Sequence, residues 1–155
     1  MVATVSNRDG RHDFHFLHGT WNVANSRLRE RLVGSTEWEQ FSATTWIRPL
    51  LGGSGQIEEM TWDANGQAAY AVTLRVWDPA TNQWSLNWVD SGSGQLFPPM
   101  VGSFGVDGVG IFVGMDMCGG KSVLSRFIWS GISETTARWE QAFSEALIGE
   151  GQHRQ

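Results

Sequence analysis

The sequence predicts an all-β protein, a single antiparallel meander closed into a barrel, and three observations predict it. Short runs that alternate apolar and polar residues recur along the whole chain, as in half-buried strands. Turn residues punctuate these runs, with 19 Gly in the chain. Nine Trp and eight Phe supply the aromatic side chains that strands accommodate well. An open meander would leave two unpaired edges, and closure into a barrel removes them.

The elements follow in order along the chain. Residues 13–17 predict a short helical turn that plugs one end of the barrel. Asn65-Gly66 predicts a primed hairpin turn, and the run from Asp78 to Asn82 supplies turn residues for the clearest hairpin. Residues 145–155 are predicted to form a tail and not a strand. The nine predicted strands cover residues 20–29, 38–48, 55–62, 69–77, 83–91, 100–106, 110–116, 123–130 and 136–144.

Length and composition limit the number of domains, the partners and the compartment that we expect. A chain of 155 residues with 41% hydrophobic content fits one domain, with the barrel over about residues 13–144. The net charge of -5 and the lack of a basic block argue against a nucleic-acid partner. No run is long enough for a signal or a membrane span, so we expect no membrane partner and a soluble, cytoplasmic protein. Cys118 is the only cysteine, which suits a reducing compartment.

Several segments carry a resemblance to a known class of barrel. Gly19-Thr-Trp21 is similar to the Gly-x-Trp that begins the first strand in calycins such as lipocalins and fatty-acid-binding proteins. Residues 49–53, 74–79, 84–91 and 138–144, in that order, resemble a family of uncharacterised bacterial lipocalin-like domains, over about residues 14–144. The resemblance implies a calycin-type barrel with a ligand-sized interior and no particular chemistry.

The end of the chain departs from that pattern. Such domains continue into a further Trp-containing strand, whereas this chain runs from Ser144 into Glu145-Ala-Leu-Ile-Gly149. A missing closing strand would leave a gap beside the first strand. We expect either that a ligand enters there or that a second copy covers the gap by strand-edge pairing, forming a homodimer.

The clearest hairpin predicts a candidate pocket wall. If Trp77 lies opposite Trp84, then Arg75 and Asp90 share a face with these indoles and with Trp88. One interpretation places this face inside, where the indoles hold an apolar ligand and Arg75 orients an oxygen. The other places it outside, with the alternate residues packing inward. Three exposed indoles would form a large apolar patch, which favours the first interpretation. The predicted ligand-binding residues are Trp21, Trp77, Trp84, Trp88, Phe97, Met100, Arg126 and Trp139.

One of two adjacent carboxylates is expected to face inward. Glu58 and Glu59 alternate in a strand, and the resemblance favours Glu59 as the inward residue. Arg75 or Arg126 would then be its partner. Glu59, Arg75 and Asp90 form the candidate catalytic cluster for general acid-base chemistry, and a structural ion pair is the alternative.

Other reactive groups give little signal. His12, His15 and His18 are spaced by three, but they match no zinc pattern, and no histidine in the later strands suits haem. We therefore expect no metal and no cofactor. Ser93 lacks a nucleophile elbow and a base, and Cys118 has no neighbouring cation.

Three functions remain open on the sequence. The first is binding of a small, largely apolar organic molecule in an aromatic-lined interior. The second is a biosynthetic cyclase or isomerase, which would need few polar groups because the barrel orients its substrate. The third is a structural or interaction protein with a filled barrel. The segment 92–100 is either a mobile portal to the interior or a plain connection.

Overall fold

The computed structural model describes residues 9–28, 38–118, 121–145 and 152–154. After a 3-10 turn at His15–Leu17 come ten strands and a second 3-10 turn, Leu51–Gly53, between β2 and β3. The strands are β1 Gly19–Leu28, β2 Trp38–Leu50, β3 Gly55–Ala64, β4 Gln67–Asp78, β5 Gln83–Asp90, β6 Met100–Phe104, β7 Gly110–Cys118, β8 Lys121–Ser130, β9 Arg138–Glu145 and β10 Gln152–Arg154.

The strands form one antiparallel meander, and the sheet curls into a half-barrel. Each strand pairs with the next in chain order, from β1 to β10. The predicted all-β meander is confirmed, and the bounds of the nine predicted strands agree with the observed ones to within two residues. The end predicted for β1, Arg29, lies outside the described residues. Among the described ladders, none joins β1 to β9 or β10.

The predicted tail, residues 145–155, contains the strand β10. The prediction that the tail forms no strand is therefore wrong for residues 152–154. Gln152, His153 and Arg154 pair with Ser144, Phe143 and Ala142 of β9. The backbone N–H and C=O groups along the edge of β9 offer hydrogen bonds to any extended segment. Residues 146–151 of the tail lie outside the described residues.

Turn chemistry explains the tight connections. Asn65 and Gly66 both adopt positive φ, 54° and 85°, as the predicted primed turn between β3 and β4 requires. In the β4–β5 turn, the Asp78 carboxylate accepts a hydrogen bond from the Ala80 N–H, and Asn82 has a φ of 57°. These connections set the register in which Trp77 lies opposite Trp84, as predicted.

The core lies on the concave face of the half-barrel, at the end covered by the N-terminal plug (residues 10–17). Phe14 of the plug is fully buried, and Trp84 and Phe112 beside it are 1% and 0% exposed. The Phe14 ring packs edge-on against Trp84, with the ring centroids 5.1 Å apart. The predicted helical turn that plugs one end of the barrel is therefore confirmed.

Hydrogen bonds from three parts of the sheet hold the plug. The Trp84 indole N–H donates to the Gly10 carbonyl at 2.9 Å. The buried Gln56 amide donates to the Phe14 carbonyl at 3.1 Å, and the Trp21 indole donates to the Leu17 carbonyl at 2.8 Å. Because these backbone carbonyl groups of the plug would otherwise be buried without a partner, the three side chains satisfy their hydrogen bonding and fix the position of the plug.

No helix in the described part of the chain is long and apolar enough to cross a membrane.

Candidate functional site

The wall predicted from the β4–β5 hairpin lies on the concave face. Arg75 pairs with Leu86, Thr73 with Trp88, and Ala71 with Asp90. Ala71, Arg75 and Leu86 are all buried. Since paired residues share a face, this whole set points inward, and the alternative with these residues outside is wrong.

A buried ion pair lies at the base of this wall. The Arg75 guanidinium contacts the Glu58 carboxylate, and the two side chains are 5% and 9% exposed. The Thr45 hydroxyl donates to the second oxygen of Glu58 at 2.6 Å. Arg75 also donates to the Gln56 side-chain oxygen at 2.8 Å, and Gln56 in turn holds Phe14 of the plug. The ion pair is therefore part of a network that connects the sheet to the plug.

The expected inward position of Glu59 is wrong. Glu58 pairs with Ile47 and Thr73, which are both buried on the concave face, whereas Glu59 pairs with Trp46. A strand alternates its side chains, so Glu59 points to the outer face. The register of β3 against β4 decides between the two carboxylates, and that register could have been inferred from the Asn65-Gly66 turn.

Asp90 lies on the concave face away from the ion pair of Arg75 and Glu58. Its carboxylate accepts a hydrogen bond from the Trp88 indole at 2.9 Å and from the Ser93 N–H at 2.8 Å. Burial on its own raises the pKa of Asp90, but the hydrogen bonds from Trp88 and Ser93 outweigh it and leave the pKa below its usual value. Asp90 pairs with Ala71, four residues along β4 from Arg75, or about 13 Å. The predicted catalytic cluster of Glu59, Arg75 and Asp90 does not form.

Several predicted ligand-binding residues fill the core. Trp77, Trp84 and Met100 are at most 8% exposed, and Trp77 and Trp84 pack against each other at 5.8 Å between ring centroids. Trp21 is half-buried and anchors the plug. These side chains consolidate the floor of the half-barrel, because the plug covers the surface that a ligand would otherwise contact.

The remaining predicted residues lie at the margins. Arg126 pairs with the exposed Val113 and so points to the outer face, which makes its inward placement wrong. Trp139 is 41% exposed at the margin of the concave face. Phe97 is half-buried, and its N–H donates to the Trp88 carbonyl at 2.8 Å. That bond, together with a bridge between Leu96 and Val89, ties the 92–100 segment to β5.

Five aromatic side chains, one from the plug and four from the neighbouring strands, form a partly exposed group that we call the aromatic rim: Phe16, Phe104, Phe127, Trp129 and Trp139. Phe16 and Trp129 have ring centroids 5.9 Å apart, and Phe127 and Trp139 are 5.1 Å apart. Of this group only Trp139 is among the predicted ligand-binding residues, because the contacts of Phe16 with Phe104 and Trp129 depend on the position of the plug.

Two buried donors next to the aromatic rim have no hydrogen-bond partner in the described structure: Arg75 Nε and Trp129 Nε1. The Arg75 guanidinium carbon is 5.7 Å from the centroid of the Trp129 ring. A buried donor without a partner carries a desolvation cost of about 1–3 kcal/mol, which an added acceptor oxygen would relieve. The sequence held no signal for this pair, since Arg75 and Trp129 come from strands far apart in the chain.

No family model and no curated protein matches this chain. The resemblance to lipocalin-like domains is therefore still a prediction.

The three histidine rings of the plug region lie in contact with one another. The rings of His12 and His15 lie 4.4 Å apart, and His15 Nε2 contacts the Gly53 carbonyl at 3.0 Å. Burial and the neighbouring His15 lower the pKa of His18. Among the residues that the structure describes, no group of three or more His, Cys, Asp or Glu side chains is arranged to hold a metal ion.

Proposed function

We propose that the protein binds a small, largely apolar organic molecule at the aromatic rim. The observation that carries this proposal is the pair of unpartnered buried donors, Arg75 Nε and Trp129 Nε1, beside partly exposed aromatic rings. A ligand with an apolar body and one oxygen acceptor would satisfy both features. Ligand sites commonly combine an apolar lining with a few placed polar groups.

The charge state of the site favours a neutral or singly charged acceptor. Glu58 already balances the charge of Arg75, and Thr45 and Gln56 occupy further hydrogen-bonding positions around the pair. The free Nε of Arg75 then acts as a directional donor to a carbonyl or carboxylic acid oxygen. Polyanionic ligands would face the Glu58 carboxylate.

Cyclase or isomerase chemistry remains the alternative, and it requires a changed set of residues. Glu58 replaces Glu59 as the carboxylate next to Arg75, while Asp90 stands apart with a lowered pKa. Any turnover would therefore depend on Glu58 and on the orientation of a flexible substrate against the aromatic rim.

A structural or interaction role is the second candidate, and the filled floor favours it. Phe14, Trp84 and Phe112 are fully buried and pack with the plug on the concave face. A protein of this kind would bind no small molecule at the aromatic rim, and its partner would be another protein. A second copy of this chain, joined by strand-edge pairing, would be such a partner.

Titration followed by Trp fluorescence and by amide chemical shifts tests the proposal. The panel contains medium-chain carboxylic acids, aromatic acids and aryl ketones. Trp129→Phe keeps a ring and removes the unpartnered donor, and Trp139→Phe on the same rim is the matched control.

The proposal expects saturable binding that weakens about tenfold in Trp129→Phe, the worth of about one hydrogen bond, and little change in Trp139→Phe. Absence of chemical-shift changes at the aromatic rim with every compound would overturn it and favour the filled-barrel role.

A further inference from the structure

The outer face of β1 to β4 carries a groove that the concave site does not explain. Its lining includes the short side chains Asn22, Ser42, Thr44, Thr61 and Asp63, and its volume is about 760 Å³. An adjoining recess of about 230 Å³ shares Asn22, Thr44 and Thr61 with it. We call the two together the outer groove. Its size falls in the range of about 300–1,000 Å³ that small-molecule sites occupy.

The strand register builds the groove from rows of different height. Asn22, Thr44 and Thr61 lie side by side across β1, β2 and β3, and they form a low row. The next row on the same face contains the larger Trp46 and Glu59, which are also paired with each other. Because both rows point to the outer face, the short row forms the floor and the Trp46 row forms a wall.

The wall offers one flat apolar surface. Trp46 is half-buried and lines the recess, and the Arg48 guanidinium lies over its ring at 4.7 Å from the centroid. A guanidinium over an indole restrains the ring. The ring is therefore held in place beside the polar floor, where it can pack against the C–H groups of a ligand.

The floor offers hydrogen-bonding groups that the described structure does not use. Thr44, Thr61, Ser42 and Asn22 make no side-chain hydrogen bond with any residue in the described part of the chain, and the Glu59 carboxylate likewise has no ion pair there. Hydroxyl and amide groups both donate and accept, so together they match a ligand that carries several hydroxyl groups.

The charges of the groove exclude an anionic ligand. Glu59 and Asp63 contribute two carboxylates to the lining, and the nearby cation Arg48 is positioned over Trp46. A phosphate or sulfate group on the floor would be repelled by these carboxylates. Carboxylates accept hydrogen bonds from neutral hydroxyl groups well.

We propose that the outer groove binds a neutral, polyhydroxylated molecule, a short oligosaccharide of two or three rings. The indole of Trp46 packs against the apolar face of one ring, and the floor residues and Glu59 hydrogen-bond with ring hydroxyls. The open shape of the groove accommodates an extended chain that continues beyond it. This site lies on the opposite face of the sheet from the aromatic rim and is independent of it.

Amide chemical-shift mapping of the full chain tests the proposal, with maltotriose, cellotriose, xylotriose and diacetylchitobiose as separate probes. Thr44→Val with Thr61→Val removes two floor hydroxyls and keeps β-branched side chains in the strands. Thr135→Val, an exposed threonine in the β8–β9 connection, is the matched control.

The expected result is saturable shifts at Thr44, Thr61 and the Trp46 indole with at least one probe. The double variant should bind that probe about tenfold more weakly while its spectrum stays folded, and the control should bind as the parent does. No shift in the outer groove with any probe at millimolar concentration would overturn the proposal. So would shifts confined to the aromatic rim, or unchanged affinity in the double variant.

Discussion

Replacing Arg75 with Met should strongly destabilise the protein, because it leaves Glu58 buried without its partner. Both side chains are less than a tenth exposed, and Arg75 also supplies the hydrogen bond to Gln56. Removing one member of a buried ion pair costs about 3–5 kcal/mol. For a domain of this size each kcal/mol lowers the melting temperature by about 2–4 °C, so we expect a fall of roughly 6–20 °C.

The double variant Arg75→Met with Glu58→Met separates the ion pair from packing effects. Replacing both members with apolar side chains removes the uncompensated charge, so we expect the double variant to unfold within about 2 kcal/mol of the parent. Urea unfolding monitored by Trp fluorescence gives the free energy of unfolding for all variants. A loss of less than about 1 kcal/mol in Arg75→Met alone would refute the reasoning.

Three further predictions concern titrating groups and backbone packing. Because the pKa of Asp90 is lowered in the fold, its stabilising contribution is present above about pH 4 and is lost as the pH falls through the lowered pKa. Asp90→Asn should therefore flatten the acid limb of a curve of stability against pH, and an unchanged limb would contradict this. The pKa of His18 is also lowered, so stability should fall as the pH drops below about 6.5, and His18→Asn should remove that part of the slope. A Cβ on Gly102 would lie 1.9 Å from the Ile111 carbonyl oxygen, so Gly102→Ala should lower the free energy of unfolding by about 3 kcal/mol or more in chemical denaturation. In the control Gly92→Ala the added Cβ has no neighbour closer than 3.4 Å, and the loss should be under about 1 kcal/mol.

The elements could be predicted from the sequence because alternation and turn chemistry are local signals. The pairing of Trp77 with Trp84 follows from the turn between them, and it places Arg75 on the concave face. Each residue of a meander finds its partner in the neighbouring strand, so a correct turn is enough to assign a face.

The site could be predicted only in part, because its contacts depend on residues distant in sequence. The choice between Glu58 and Glu59 is an exception, because the Asn65-Gly66 turn sets the register of β3 against β4, and a one-residue difference moves the carboxylate to the other face. Trp129 contacts Arg75 only because the sheet curls, and no local sequence pattern predicts that curl. The outer groove has no signal of its own in the sequence, because short polar residues on an exposed strand face are typical of any sheet.

The attachment of the plug has a consequence for the order in which the chain folds. Gly10 is held by Asn82 and Trp84, residues 72 and 74 positions away, whereas the meander itself links neighbouring strands. During synthesis the plug leaves the ribosome before β5, so it cannot dock until β5 has been made. Closing so long a loop carries a larger entropic cost than closing the short hairpins does. The plug is thus made before the strands that hold it but is among the last elements to reach its final position, and the hydrophobic floor stays uncovered until it does.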